Sequence, residues 1–184
     1  REINNSISSI GQIKKSLNGI KIGIIDYDIG NQQSLVHTLK HLGAKVFISN
    51  DHEELNISDI LALPGVGAFP TGMRNLRKFN LDNFIKEKVT QGIPLIGICL
   101  GMQMLFENST EFQLSEGLKL IKGNVMKIRD HKKIKLPHMG WNKLISKPNN
   151  IFSLDNIYQY FVHSYAVYNT DPETVIYECN YEKE

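Results

Sequence analysis

Cysteine is scarce in this chain. Only Cys99 and Cys179 occur among 184 residues, too few and too far apart for a disulfide framework, so the fold must rest on a hydrophobic core. An excess of one charge is missing too. Twenty-one Lys and Arg stand against 19 Asp and Glu, a formal charge of +2. The basic residues are scattered apart from Lys132, Lys133 and Lys135, a cluster that reads as a solvated loop, so nucleic acid is not an expected partner. Long apolar runs are also absent. The longest, Ile93 to Phe106, is broken by Pro94, Gly97, Gly101 and Gln103 and falls short of the roughly 20 residues a spanning helix needs. No leader-like segment is read, so a reducing, cytoplasmic setting without membrane contact is the expectation, and the sequons at Asn4, Asn56 and Asn108 carry no weight. No metal and no cofactor is expected. What remains is 41% apolar and 22% charged residues, the composition of an ordinary globular domain.

Strand-like and helix-like segments alternate, which predicts an α/β fold with an open, mostly parallel sheet covered on both faces. Ile22–Ile25 reads as the first strand. Asn31 to Leu42 carries Leu35, Val36, Leu39 and Leu42 at helical spacing, and Gly43 stops that helix before a second strand at Lys45–Ile48. Ile60–Leu63 is the third strand, running into Pro64-Gly65-Val66-Gly67. Phe84, Ile85 and Val89 mark a helix that leads to a buried fourth strand ending at Cys99. After Gly117 the pattern becomes short strands at Leu118–Ile121, Val125–Ile128, Trp141–Ile145, Tyr158–Val162, Ala166–Tyr168 and Thr174–Tyr177, a smaller mixed or antiparallel extension. Residues 1–20 read as an appendage and 21–184 as the domain, which looks incomplete at its C-terminal end. The loops after the strands, Asp26 to Asn31, Pro64 to Gly67 and Cys99, are expected to share one rim, where open α/β sheets bind ligands.

Cys99 sits where a strand must turn sharply into a helix continuing through Met102, Met104, Leu105 and Phe106. Such turns push the side chain out, and unpaired N–H groups at a helix start favour a thiolate. Gly97 and Gly101 clear space for a substrate, and the Leu100 N–H is placed to meet an oxyanion. The alternative is a small buried hydrophobe, since free cysteine is among the most buried residue types. Read alone, His163 is a core or binding histidine, His37, His41 and His52 are surface groups, His131 flanks the lysine cluster, and His138 is structural.

Four stretches carry a family resemblance. They are Asp26-Tyr27-Asp28-Ile29-Gly30-Asn31, Leu63-Pro64-Gly65-Val66-Gly67-Ala68-Phe69, Gly97-Ile98-Cys99-Leu100-Gly101-Met102-Gln103, and the pair Pro137-His138-Met139-Gly140-Trp141-Asn142 with Tyr160-Phe161-Val162-His163-Ser164-Tyr165. In order and spacing the chain resembles the triad, or class I, glutamine amidotransferases with their flavodoxin-like fold. The last pair singles out the histidine-pathway glutaminases.

The resemblance implies that Cys99 attacks the side-chain amide of glutamine, forms a thioester, and releases ammonia to a (β/α)8-barrel synthase subunit that makes imidazole glycerol phosphate. It implies an oxyanion hole from the backbone of Val66, Gly67 and Leu100. Glutamine would be bound by Gly65, Gln103, Glu111, His163, Ser164 and Tyr165, and Asn31 would face the partner subunit. Two departures stand out. The family's base lies in a later His-Pro-Glu segment that this sequence does not contain, and a chain without it loses acid–base catalysis, typically about 10²–10⁴-fold. The family usually has glycine at the place of Asp28, which bears on the partner contact. Ammonia supply for surface-sugar amination, a pseudo-glutaminase scaffold, and a hydrolase of the same superfamily stay open as alternatives.

Overall fold

In a computed structural model of the chain, residues 17–128, 134–148, 150 and 157–181 are described. Most of the expected appendage, together with His131, Lys132 and Lys133, lies outside them. The chain forms two compact units, Arg1–Leu105 and Phe106–Glu184.

In the first unit, β1 (Lys21–Ile25), β2 (Lys45–Ser49), β3 (Ile60–Gly65) and β4 (Leu95–Cys99) pair in the order β2-β1-β3-β4, every pair parallel. From β1 the chain moves one way across the sheet, through α1 (Gln32–His41). From β3 it moves the other way, through α3 (Phe69–Lys78) and α4 (Leu81–Thr90), after a short α2 (His52–Leu55). Right-handed crossovers therefore lie on opposite faces, and the strand order reverses between β1 and β3. On the α1 face, Val36 is buried with Ile22, Ile24 and Ala62, flanked by Leu35 and Leu39. These apolar positions are the helical and alternating ones that the sequence predicts.

Residues 69–78 form a helix that a sequence reading passes over, because Pro70 and Gly72 look like breakers. Pro70 lies in the first turn, where its missing N–H costs nothing. Gly72 is needed for packing, since a Cβ there would come 2.6 Å from the Met104 sulfur. The helix buries Phe69, Gly72, Met73 and Leu76, an i, i+3, i+4, i+7 stripe.

Two expectations around Cys99 are corrected. Among the described residues β4 is last in the sheet order, with Ile96 and Ile98 46% and 38% exposed, so it is not the buried strand expected. Ile96 pairs beside Ala62 on the α1 side, but the α1 cluster reaches only as far as Ala62. The following helix is also short. α5 (Leu100–Gln103) is a single turn; the Leu105 N–H then donates to Met102 O at 3.1 Å and the chain bends away. The dipole argument for Cys99 thus has few aligned peptides behind it.

The second unit matches the expected mixed extension. β5 (Asn108–Ser109), β6 (Ser115–Glu116), β7 (Asn124–Lys127) and β10 (Tyr165–Tyr168) form a sheet ordered β10-β7-β5-β6, parallel only between β5 and β7. β8 (His138–Ser146), β9 (Tyr158–His163) and β11 (Tyr177–Cys179) form an antiparallel sheet ordered β11-β8-β9. Leu118–Ile121 is not a strand: Leu118 is buried, but Lys119 adopts φ +58°, which ends any extended run. Nor is Thr174–Tyr177. Asp171 accepts from the Glu173 N–H and caps a 3₁₀ turn at Pro172–Thr174, so the strand starts only at Tyr177.

The layering makes a direct prediction. Ile24→Ala, in the covered part of the sheet, should cost about 2–5 kcal/mol in urea unfolding, whereas Ile96→Ala, on the open part of the same face, should cost under about 1 kcal/mol. Equal losses would contradict the assignment of the covered face.

Candidate active site

Cys99 ends β4 and is the N-cap of α5, with φ +54° and ψ −116°. A β-carbon in this conformation is strained by about 1–3 kcal/mol, and such strain concentrates at functional turns. The thiol is free and exposed, which excludes the buried-hydrophobe reading. Leu100 behind it is buried, and its N–H lies in the first helical turn, where no intrahelical carbonyl is available.

The glycines of this turn serve a different purpose from the one expected. They do not clear a path for substrate. A Cβ on Gly97 would lie 2.6 Å from Met102 Cα, and one on Gly101 would fall on the carbonyl oxygen of Leu63. Gly97 lets β4 pass against the backbone of the turn itself, and Gly101 lets the turn come down onto β3.

That contact sets the second part of the site. Gly65 pairs with Cys99 in the β3–β4 ladder, so the loop beyond Gly65 leaves the sheet beside the thiol. Val66 is exposed, and Gly67 has φ +93° with open space around it. The third part is the loop after β1. The Gln32 amide donates to Asp26 Oδ1 at 3.1 Å, and Gly30, at φ +113°, lies next to Gly65, where a Cβ would make an ordinary contact 3.8 Å from its Cα. Asp28 has φ +61°, a conformation suited to glycine and tolerated by Asp, which accounts for the departure from the family pattern. Its exposed ion pair with Lys78, at 3.1 Å, adds little stability.

The expected rim therefore exists. Asn31, Gly65, Val66 and Cys99 line one cavity of about 320 Å³, with Ser34, Leu35, Thr38, Pro64 and Ile98 among its walls. It opens at the carboxyl ends of β1, β3 and β4, beside the reversal in strand order, where doubly wound sheets bind ligands. Gly67 continues the same loop, and Leu100 follows Cys99. Gln103, half-buried on α5, does not line this cavity. Sequence reasoning missed Tyr27 as a functional candidate. It is fully buried, its phenol donates to Pro64 O at 2.6 Å, and burial, then the charge of Cys99, holds its pKa well above the usual phenol range. Only its position in a quoted motif hinted at this.

The other candidates belong to the second unit. Glu111 is half-buried, and its N–H donates to Ser109 Oγ at 3.1 Å. The Ser164 carbonyl accepts from the Ile128 N–H at 2.9 Å. His163 Nδ1 donates to Tyr165 O at 2.9 Å, and its Nε2 lies 3.1 Å from Nδ1 of His138. His138 is buried and stacks on Phe161 and Tyr181, so its structural role is as read. His52 is not a plain surface group: it stacks on Phe84 with centroids 4.7 Å apart and contacts Phe79 O. Among the described residues no cluster of His, Cys, Asp and Glu could hold a metal ion, and no helix is long and apolar enough to cross a membrane.

Two predictions follow from this geometry. Gly101→Ala should destabilise the fold by about 3 kcal/mol or more in urea unfolding, because the Leu63 carbonyl must move; a loss below about 0.5 kcal/mol would contradict the packing. The second concerns pH. Burial, chiefly, and the neighbouring His138 lower the His163 pKa below its ordinary 6.5, against the raising effect of the Tyr165 carbonyl. On acidification the unfolded chain then binds its proton first, so this contribution to stability is lost as pH falls below about 6.5. Urea midpoints at about pH 7.5 and about pH 5.5 should differ less in His163→Gln than in the parent chain. An undiminished difference would assign the effect elsewhere.

Residues 23–184 match the family Glutamine amidotransferase class-I. The imidazole glycerol phosphate synthase subunit HisH of Lactococcus lactis is 50% identical over 160 residues, 85% of this chain and 78% of that protein. The HisH subunit of a Geobacillus strain is 43% identical over 169 residues, 89% of this chain and 80% of that protein. A crystal structure of a glutamine amidotransferase superposes with a TM-score of 0.68 at 17% identity, covering 85% of this chain and 78% of that one, which supports the fold. The chain belongs to the class I glutamine amidotransferases, in the family of the imidazole glycerol phosphate synthase subunits HisH.

Proposed function

We propose that Cys99 is the nucleophile with which this chain hydrolyses glutamine. The chain is a glutamine amidotransferase, the glutaminase subunit of an imidazole glycerol phosphate synthase in histidine biosynthesis, in line with relatives 50% and 43% identical that bear the HisH name. Sugar amination, a scaffold role and a general hydrolase have no comparable support. One observation carries the catalytic reading: an exposed thiol on a φ +54° turn, laddered against Gly65 at the mouth of a cavity.

The chemistry runs in two halves. The Cys99 sulfur bonds to the side-chain carbonyl carbon of glutamine, the C–N bond breaks, and ammonia leaves with the thiol proton. Water then opens the thioester to glutamate and restores the thiol. During each half the carbonyl oxygen becomes negative, and the N–H groups of Val66, Gly67 and Leu100 would receive it. A donor of this kind is worth about 10²–10³ in rate. By family resemblance, Gln103 and Glu111 would contact the amino-acid end of the substrate and the backbone around His163, Ser164 and Tyr165 its carboxylate, with Gly65 a further substrate-binding position. We read residues 21–184 as the amidotransferase domain, 1–20 as its appendage, and the cytoplasm as its compartment.

The ammonia passes to a synthase subunit, which we take to be a (β/α)8 barrel. Asn31, at the rim beside Cys99, is a proposed contact. A second is the face of β8 and β9, where Trp141, 69% exposed, meets Tyr160 edge-on, with Met139 and Val162 paired alongside. Contiguous apolar surface of this kind marks an interaction site.

The test is direct. Cys99→Ala, purified with the synthase subunit, should lose glutamine-dependent turnover by about 10³-fold or more while keeping its melting temperature within a few degrees. Retained turnover would remove Cys99 from the mechanism.

A further inference from the structure

Tyr27 is completely buried although its phenol is polar, and that phenol donates to the Pro64 carbonyl oxygen, 2.6 Å away and 37 residues distant in sequence. A Cβ on Gly65 would overlap the phenol oxygen and lie 3.1 Å from the Gly101 amide nitrogen. The last residue of β3 is thus packed closely by both Tyr27 and the turn that carries Cys99. Tyr27 is itself held, because Asn75 on α3 donates its side-chain N–H to the Tyr27 carbonyl at 2.9 Å.

Beyond this peptide the grip ends. Val66 is exposed, and among the described residues a Cβ on Gly67, at φ +93°, would point into open space. A peptide plane whose carbonyl accepts a buried hydrogen bond cannot turn without breaking it. The next two planes carry the Val66 and Gly67 N–H groups; the first is the last in the β3–β4 ladder, at the Gly65–Cys99 pair, and the second lies beyond it. Burial and the neighbouring charge of Cys99 both keep the phenol protonated, so the donor persists wherever the protein is folded.

We infer that Tyr27 is a positioning residue for the oxyanion hole: its hydrogen bond pins the Pro64–Gly65 peptide and confines reorientation of the loop to the Val66 and Gly67 amides. The inference rests on the reading of Cys99 as nucleophile. Tyr27 touches neither substrate nor sulfur in this role; it acts through β3.

Tyr27→Phe keeps the ring and removes the donor. Two alkylating probes separate its effects. Iodoacetamide reports on the thiol alone, whereas with a glutamine-derived chloromethyl ketone the same sulfur bonds to the methylene carbon and chloride leaves as the ion, the ketone oxygen standing in the place of the amide oxygen. In Tyr27→Phe, chloroketone labelling of Cys99 and kcat with the synthase subunit should each fall about 10-fold, with iodoacetamide labelling and KM within about 2-fold of the parent. Equal slowing by both probes, no slowing, or a rise in KM alone would overturn the role. If Tyr27→Phe does not fold, Asn75→Ala takes its place, with the same selective loss at about 3-fold expected and its absence equally fatal. Full turnover in Cys99→Ala would instead refute the nucleophile reading, independently of Tyr27.

Discussion

The site depends on one close approach of backbone to backbone. The turn after β4 rests on the end of β3 with so little room that a Cβ on Gly101 would coincide with the Leu63 carbonyl oxygen, and one on Gly97 would strike Met102. Because the turn is seated there, Gly65 and Cys99 lie opposite each other in the parallel ladder. That register sets the Cys99 thiol beside the loop that begins at Val66. Strain at Cys99, about 1–3 kcal/mol for such a backbone, is held in place by the buried Leu100 and Leu63 around it.

Topology supplies the rest of the position. The sheet runs β2-β1-β3-β4, so the chain leaves β1 and β3 toward opposite edges and opens a crevice between their carboxyl ends. The loop after β1 closes one side through Gly30 and Asn31, and α1 provides Ser34, Leu35 and Thr38 as a wall. Tyr27 joins the two loops from beneath. The same residues that fill the core therefore determine where the amides of the rim lie, which is why fold and chemistry are hard to separate here.

Much of this was legible in the sequence because it is local. Ile22–Ile25, Lys45–Ile48 and Ile60–Leu63 announce strands by composition, and Gly43 announces the end of α1. The apolar run broken at Cys99 announces a turn. What was hidden depends on partners far along the chain. The exposure of Ile96 and Ile98 follows from the place of β4 in the strand order, which no local pattern states. Pro70 and Gly72 disguise α3 because their reasons, a first-turn position and the Met104 sulfur, are tertiary. Leu118 is as apolar as a strand residue, yet φ +58° at Lys119 makes it a loop anchor. The family resemblance named Val66, Gly67 and Leu100, but it did not explain why Gly97 and Gly101 must be glycine; the packing does.

As the proposed nucleophile, Cys99 carries the glutamyl group during turnover. Acid quenching of the protein with its synthase subunit under excess glutamine, followed by proteolysis and mass spectrometry, measures this directly. A glutamyl adduct on the peptide that contains Cys99, lost on treatment with hydroxylamine, is the predicted result. Continued turnover with the adduct on another residue, or with none on that peptide, would contradict the account.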